Sequence, residues 1–195
     1  MTKSEERRAK SVWTAGVLAC LCIFSPLSAD TKLPPELQGV GLEQKLNAQI
    51  PLDLAFRDET GKTVRIDQYF HSKPVILILA YYQCPMLCTY VLNGALSSLR
   101  VLSFDAGKDF DVLIVSFDPK DTSQLAAAKK ANYVREYKRP GAENGWHFLT
   151  GDPASIDSLT KAVGFHYQYD AKQGQFAHAS GIMVVTPQGR VSHYF

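Results

Sequence analysis

The sequence predicts one α/β domain, a mixed central sheet with helices on both faces and an N-terminal β-hairpin. Three observations predict it. Two short, mostly apolar runs, Val75 to Ala80 and Asp111 to Phe117, have the length and β-rich content of strands buried on both faces. Helical segments alternate with such strands, and the chain closes in a hairpin, which together imply a mixed sheet. A chain of 195 residues with 46% hydrophobic content can build one ordinary core.

Residues 1–29 read as a signal peptide or an N-terminal membrane anchor. Lys3, Arg7, Arg8 and Lys10 form a basic beginning, an apolar stretch runs from Val12 to Leu27, and Ser28-Ala29 ends it. Cleavage is expected after Ala29, because the apolar stretch is shorter than the ~20 residues that span a bilayer. Leu27, large for a position three before the cut, keeps an uncleaved anchor as the alternative. Lipid attachment at Cys20 is disfavoured by the apolar Leu21, Ile23 and Phe24 that follow. Either way the domain is expected to be exported, periplasmic or anchored facing the periplasm.

Residues 30–49 read as an irregular arm, with Pro34, Pro35, Gly39 and Gly41. Residues 50–195 hold the domain. Leu52, Leu54 and Phe56 alternate with Asp53, Ala55 and Arg57, Asp58 to Lys62 is a turn, and Val64 and Ile66 resume the alternation, giving the hairpin. Asp67 to Phe70 forms a helical turn. After the strand from Val75, Pro85 is expected at the first helical position, with Leu92, Leu96 and Leu99 facing the core. Asp121 or Thr122 caps a helix from Ser123 to Tyr137, and Asp152-Pro153 starts another that Gly164 closes. Trp146 to Leu149, Phe165 to Tyr169 and Gly181 to Val185 are strands; Pro187 to Arg190 turns the last into Val191 to Phe195. The chain ends inside that strand, so a further helix is expected beyond Phe195.

Removal of the leader takes Cys20 and Cys22 with it and leaves Cys84 and Cys88. At the start of a helix these would lie on one face, with Cβ atoms about 5–6 Å apart. The helix N-terminus would ease ionisation of Cys84. Such a pair is a redox couple, a claw for a soft metal, or two inert core cysteines. An oxidising compartment also permits a disulfide between them. Of five histidines, His178 stands out, in a loop of small residues that feeds the strand from Gly181. The net charge of +2 and the lack of a basic, aromatic-studded stripe argue against a nucleic-acid partner.

The strings YYQCPMLC, SFDP at Ser116 to Pro119, FLTGDP at Phe148 to Pro153, and AHAS followed by TPQGR resemble the Sco/SenC family. The hairpin LDLAFRDETGKTV and the strand KPVILILAYY share the resemblance, which runs in order through Ile50 to Phe195. It implies a thioredoxin-like domain that binds copper and helps assemble the binuclear copper site of cytochrome c oxidase subunit II. It further implies Cys84, Cys88 and His178 as the metal ligands. The sequence departs from many members by Met86, where an acidic residue stands between the cysteines, and by Thr89, where a proline follows the second. Losing that acid leaves the choice of partner less defined than the metal ligands. The soft thioether of Met86 is a further candidate donor to cuprous copper, against the plainer role of packing or partner contact.

The leading expectation is therefore a copper metallochaperone holding Cu(I) at two thiolates and an imidazole, with Cu(II) needing a further ligand. Its partner would be cytochrome c oxidase subunit II or another copper-accepting protein. The alternative is a thiol-disulfide oxidoreductase in which the redox pair Cys84 and Cys88 acts on cysteines of a metalloprotein target. C-x-x-x-C in place of C-x-x-C, and the absence of proline before the strand at Gly181, argue against that as the sole role. Peroxide reduction is disfavoured because the stretch before Cys84 lacks the threonine-containing peroxiredoxin pattern. A closed zinc site would need a fourth ligand.

Overall fold

The computed structural model describes residues 37–195. The leader, its cleavage or retention as an anchor, Cys20, and the beginning of the arm lie outside the described residues. In chain order the elements are β1 (Gly41–Leu42), β2 (Ala55–Arg57), β3 (Thr63–Arg65), a 3-10 turn (Ile66–Tyr69), β4 (Val75–Ala80), α1 (Leu87–Val101), β5 (Asp111–Ser116) and α2 (Ser123–Tyr137). A second 3-10 turn (Ala142–Asn144) leads to β6 (Trp146–Leu149), α3 (Pro153–Ala162), β7 (Phe165–Asp170), β8 (Gln175–His178), β9 (Ile182–Val185) and β10 (Val191–Tyr194).

The central sheet has five strands in the order β10-β9-β4-β5-β6. β4, β5 and β6 run parallel, whereas β9 and β10 are antiparallel, so the sheet is mixed. Every residue of β5 is buried, and so is every residue of β4 except Ile76, as the apolar runs require of strands covered on both faces. Trp146 and Phe148 of β6 pack against Tyr133 and Tyr137 of α2, with ring centroids 5.5–6.0 Å apart. A second sheet, β1-β7-β8, carries the other half of the site.

Capping places the helices. Thr122 Oγ1 accepts from the Leu125 N–H at 3.3 Å, so Thr122 is the cap and Asp121 is released for another use. Asp152 Oδ1 accepts from Ala154 and Ser155, with Pro153 in the first turn. Gly164, at φ +67°, lets the chain leave α3 in the left-handed region and enter β7.

Four expectations are corrected. α1 begins at Leu87, not at Pro85, and the residue before it, Met86, has non-helical φ −145° and ψ −75°. Cys84 and Pro85 thus belong to the connecting loop, because Cys84 N–H closes a turn onto Tyr81 O at 3.2 Å instead of leading into a helix. His178 ends strand β8 and does not lie in a loop: it pairs with Tyr167 of β7. The hairpin strand is shorter than Leu52 to Phe56, since Leu52 and Leu54 give their carbonyls to Asp67 and Ile66 of the 3-10 turn. Within the stretch read as an arm, Gly41 and Leu42 form a strand on β7.

Candidate metal centre

The site lies where β4 ends. Tyr81 and Tyr82 follow Ala80 and are both buried, and their polar groups anchor the loop that carries Cys84. Tyr82 N–H donates to Asp121 Oδ2 at 2.6 Å, an oxygen that also accepts from Ser116 Oγ at 2.6 Å. The Tyr82 hydroxyl donates to Leu149 O at 2.6 Å. The loop is therefore tied to the ends of β5 and β6. Burial pushes the Asp121 carboxyl above its ordinary range, although the bonds from Ser116 and Tyr82 oppose that shift. The sequence marks Asp121 only as a candidate helix cap, in the loop between β5 and α2.

Cys84 performs the capping that its position outside the helix allows. Its Sγ accepts from the Cys88 backbone N–H at 3.4 Å, satisfying one orphan donor of the first turn of α1. Burial alone would raise its pKa, but the N–H groups of Cys88 and Met86 and hydrogen bonds from Tyr81 and Cys88 outweigh it, so Cys84 ionises more easily than a free thiol. Cys88 is its opposite. It is 4% exposed, and burial followed by repulsion from a Cys84 thiolate pushes its pKa up to about 12, against a bond from Tyr81 N–H at 3.4 Å. Both thiols are free.

His178 arrives from β8. Its Nδ1 lies 2.6 Å from Ala179 O, and a carbonyl can only accept, so Nδ1 carries the proton. Nε2 is left with its lone pair, 3.6 Å from Cys88 Sγ. Burial lowers the imidazole pKa more than the Ala179 bond raises it, which favours the neutral form that ligates metals. Phe117 and Tyr81 wall the ring, with centroids at 5.2 and 5.7 Å.

The structure thus brings together all three residues singled out from sequence: the donor atoms of Cys84, Cys88 and His178 lie within 4.8 Å of one another. A three-coordinate metal with bonds of about 2.0–2.3 Å would set its donors roughly 3.5–4 Å apart, so a small contraction closes the set. Two sulfurs and an imidazole suit a soft or borderline ion. The remaining histidines serve elsewhere: His147 packs on Tyr69, His166 approaches Glu43, and His193 bonds Ser192, while His71 is exposed. Met86 is 61% exposed, at the mouth of the loop and outside the packed set.

The difference between the thiols predicts an order of modification. In the metal-free reduced protein, iodoacetamide should alkylate Cys84 well before Cys88. The Cys84 rate should rise with pH through a midpoint below that of a free cysteine, because its thiolate persists to lower pH. Peptide mapping after brief exposure checks this; equal labelling of the two would contradict it.

Comparison with known proteins follows the same lines. A family model described as SCO1/SenC matches residues 43–195. None of the curated proteins matches the chain. The fold is similar to that of a protein from Aquifex aeolicus VF5, with a TM-score of 0.66 and 24% identity over 77% of this chain and 84% of that one. It is similar to copper-bound ScoI of Bradyrhizobium japonicum, with a TM-score of 0.57 and 27% identity over 73% of this chain and 86% of that one. Copper-bound ScoI of Arabidopsis thaliana gives a TM-score of 0.59 and 21% identity over 73% and 84% of the respective chains. The architecture is accordingly thioredoxin-like.

Proposed function

The chain belongs to the SCO1/SenC family, and from that premise we propose that it is a copper metallochaperone. Cys84, Cys88 and His178 hold Cu(I), and the protein, exported and facing the periplasm, delivers copper to the binuclear site of cytochrome c oxidase subunit II or a similar acceptor. The observation that carries this reading is the convergence of two sulfurs and an unprotonated Nε2 within 4.8 Å. Copper bound to ScoI of Bradyrhizobium japonicum, a protein of the same fold and 27% identity, supports it.

The division of labour follows from the site. Cys84, partly exposed and easily ionised, is the donor that an incoming acceptor thiolate or imidazole displaces first. Cys88 and His178, deeper in the fold, retain the ion until the exchange is complete. No substrate turns over.

Anaerobic Cu(I) titration of the reduced protein against a competing chelator tests the reading. One retained equivalent is expected. His178→Ala should lower the affinity by at least about tenfold, comparable to or larger than the loss of a supporting residue in metal sites. The two thiols should stay competent to form a disulfide. Transfer is followed by mixing the loaded protein with the isolated copper-binding domain of subunit II under the same anaerobic conditions, separating the two proteins and measuring the copper on each. Retention of no copper, or a His178→Ala variant that binds as tightly as the parent, would sink the three-ligand reading.

The unequal thiols favour a second reading, thiol-disulfide exchange on an acceptor's cysteines. The Cys84 thiolate would attack the target disulfide and release one target thiolate; Cys88 would then attack the mixed disulfide, releasing the second. Two electrons pass to the target, and Cys84 and Cys88 end as a disulfide. His178→Ala separates the readings, since it should spare this exchange while weakening copper retention.

A further inference from the structure

The loop that leaves α1 carries an apolar cluster on the surface. Val101 is 83% exposed, Phe104 58% and Leu102 41%. Single exposed apolar side chains are ordinary on a protein surface, whereas a contiguous group of them marks a place of contact.

The loop is held in this pose by Arg139. Its guanidinium donates to the carbonyl oxygens of Arg100 and Phe104 at 2.9 Å each and to that of Leu102, and it pairs with the Asp105 carboxylate. It also lies over the Tyr137 ring, 5.7 Å from the centroid, and the Tyr137 hydroxyl accepts from the Ala106 N–H at 3.1 Å. With three backbone carbonyls directed at one buttressed guanidinium, the main chain is fixed and the side chains of Val101, Leu102 and Phe104 are kept in solvent.

Charge decides what such a surface meets. Arg100, Lys108 and Lys138 are exposed on the segments that carry or adjoin the cluster, and none enters an ion pair among the described residues. The acids of the loop are engaged: Asp105 with Arg139, and Asp109 Oδ2 with the Asp105 N–H at 2.8 Å. Glu143, exposed in the second 3-10 turn, is the nearby acid left to oppose them. Apolar side chains among free cations match the acyl boundary and the headgroups of an anionic bilayer.

We infer that the loop of residues 100–104, with Lys108 and Lys138 beside it, is a contact for the surface of an anionic phospholipid bilayer. The 15 residues of α1 run about 22 Å from the Cys84 loop to this cluster. A domain resting on lipid by the cluster therefore holds its metal centre roughly 20 Å from the surface, at the far end of the helix, open to an acceptor.

Residues 34–195 form a compact unit that contains the whole described core, from Ile50 to Val191, so this piece folds without the apolar leader, which would bind lipid by itself. It is sedimented with vesicles of phosphatidylglycerol and phosphatidylcholine, and with vesicles of phosphatidylcholine alone. Binding is expected to the anionic vesicles, to weaken as salt is raised, and to be slight on the neutral ones. Val101→Ser combined with Phe104→Ser should weaken it by at least about tenfold. Lys108→Ala and Lys138→Ala should each weaken it roughly fivefold. Tyr90→Ser, near the other end of α1, should bind as the parent does, and all these surface variants should melt within a degree or two of it. Equal binding of the parent to both kinds of vesicle, binding to neither, or a double serine variant that binds like the parent would overturn the inference. A parent that dimerises without lipid, and a double serine variant that stays monomeric, would make the cluster an interface between copies and overturn it too. Copper retention is expected to be the same in parent and variants, so the lipid contact and the copper reading stand or fall separately.

Discussion

Serine in place of Cys84 or Cys88 is expected to abolish retention of Cu(I) against a competing chelator. The hydroxyl that replaces the thiol is a hard, protonated oxygen at neutral pH, whereas the ion is soft and selects thiolate. One sulfur and one imidazole then remain. The loss should exceed the ~10–100-fold typical of removing a supporting residue. At Cys84 the substitution also shortens the acceptor for the Cys88 N–H, now 3.4 Å from Sγ, so the first turn of α1 should fray slightly. At Cys88, 4% exposed, serine's shorter reach weakens the contacts now made with Tyr81 N–H and His178 Nε2 in a buried place, and a stability cost of about 1–2 kcal/mol joins the loss of metal. Chelator competition and native mass spectrometry read the binding, and thermal unfolding reads the stability. A Cys84→Ser protein holding one equivalent as tightly as the parent would refute the assignment.

Gly164→Ala is expected to be strongly damaging although it lies outside the site. Gly164 has φ +67°, where a side chain costs about 1 kcal/mol, and a Cβ there would come 2.0 Å from the Glu43 carbonyl oxygen. That oxygen belongs to backbone and cannot swing aside. Relieving the clash must push β1 away from β7 and break the bond from Glu43 N–H to Gly164 O, now 2.8 Å. Strain and lost bond together should destabilise the domain by at least ~3 kcal/mol. At roughly 2–4 °C per kcal/mol for a domain of this size, melting should fall by about 6–12 °C. Gly94→Ala in α1 is the control: nothing lies within 4 Å of the added methyl, and helix propensity favours alanine by about 0.5–1 kcal/mol. Melting of Gly164→Ala within a degree or two of the parent would show that the β1 contact yields freely.

Which features were legible in the sequence follows from how local their causes are. β4 and β5 could be read because an uninterrupted apolar run has one good use in a small α/β domain. α2 and α3 could be read because Thr122 and Asp152 cap their own next residues. The start of α1 could not. Pro85 is compatible with a first helical turn, but the turn that Cys84 N–H makes onto Tyr81 O, together with burial of Tyr81 and Tyr82, holds the loop out of the helix for two more residues. β8 was missed because Gln175 to His178 has no alternation of its own, and only β7 opposite makes it a strand. The cysteine pair was visible as spacing, and the resemblance singled out His178. The supporting roles of Tyr81, Tyr82 and Asp121 depend on contacts between residues far apart in sequence and leave no mark along the chain.

The same distance along the chain orders the birth of the site. Cys88 and His178 are separated by 90 residues, and between them lie two strands of the central sheet, two helices and β7. The two thiols are neighbours as soon as the loop and the first turn of α1 form. The imidazole reaches them only after β7 and β8 have paired and docked, a closure whose entropic cost must be met by contacts already made. A chain still folding can therefore offer two donors and no more. The third completes the set only once β7 and β8 are in place, so metal is captured in full coordination by the folded protein and gripped weakly by anything less.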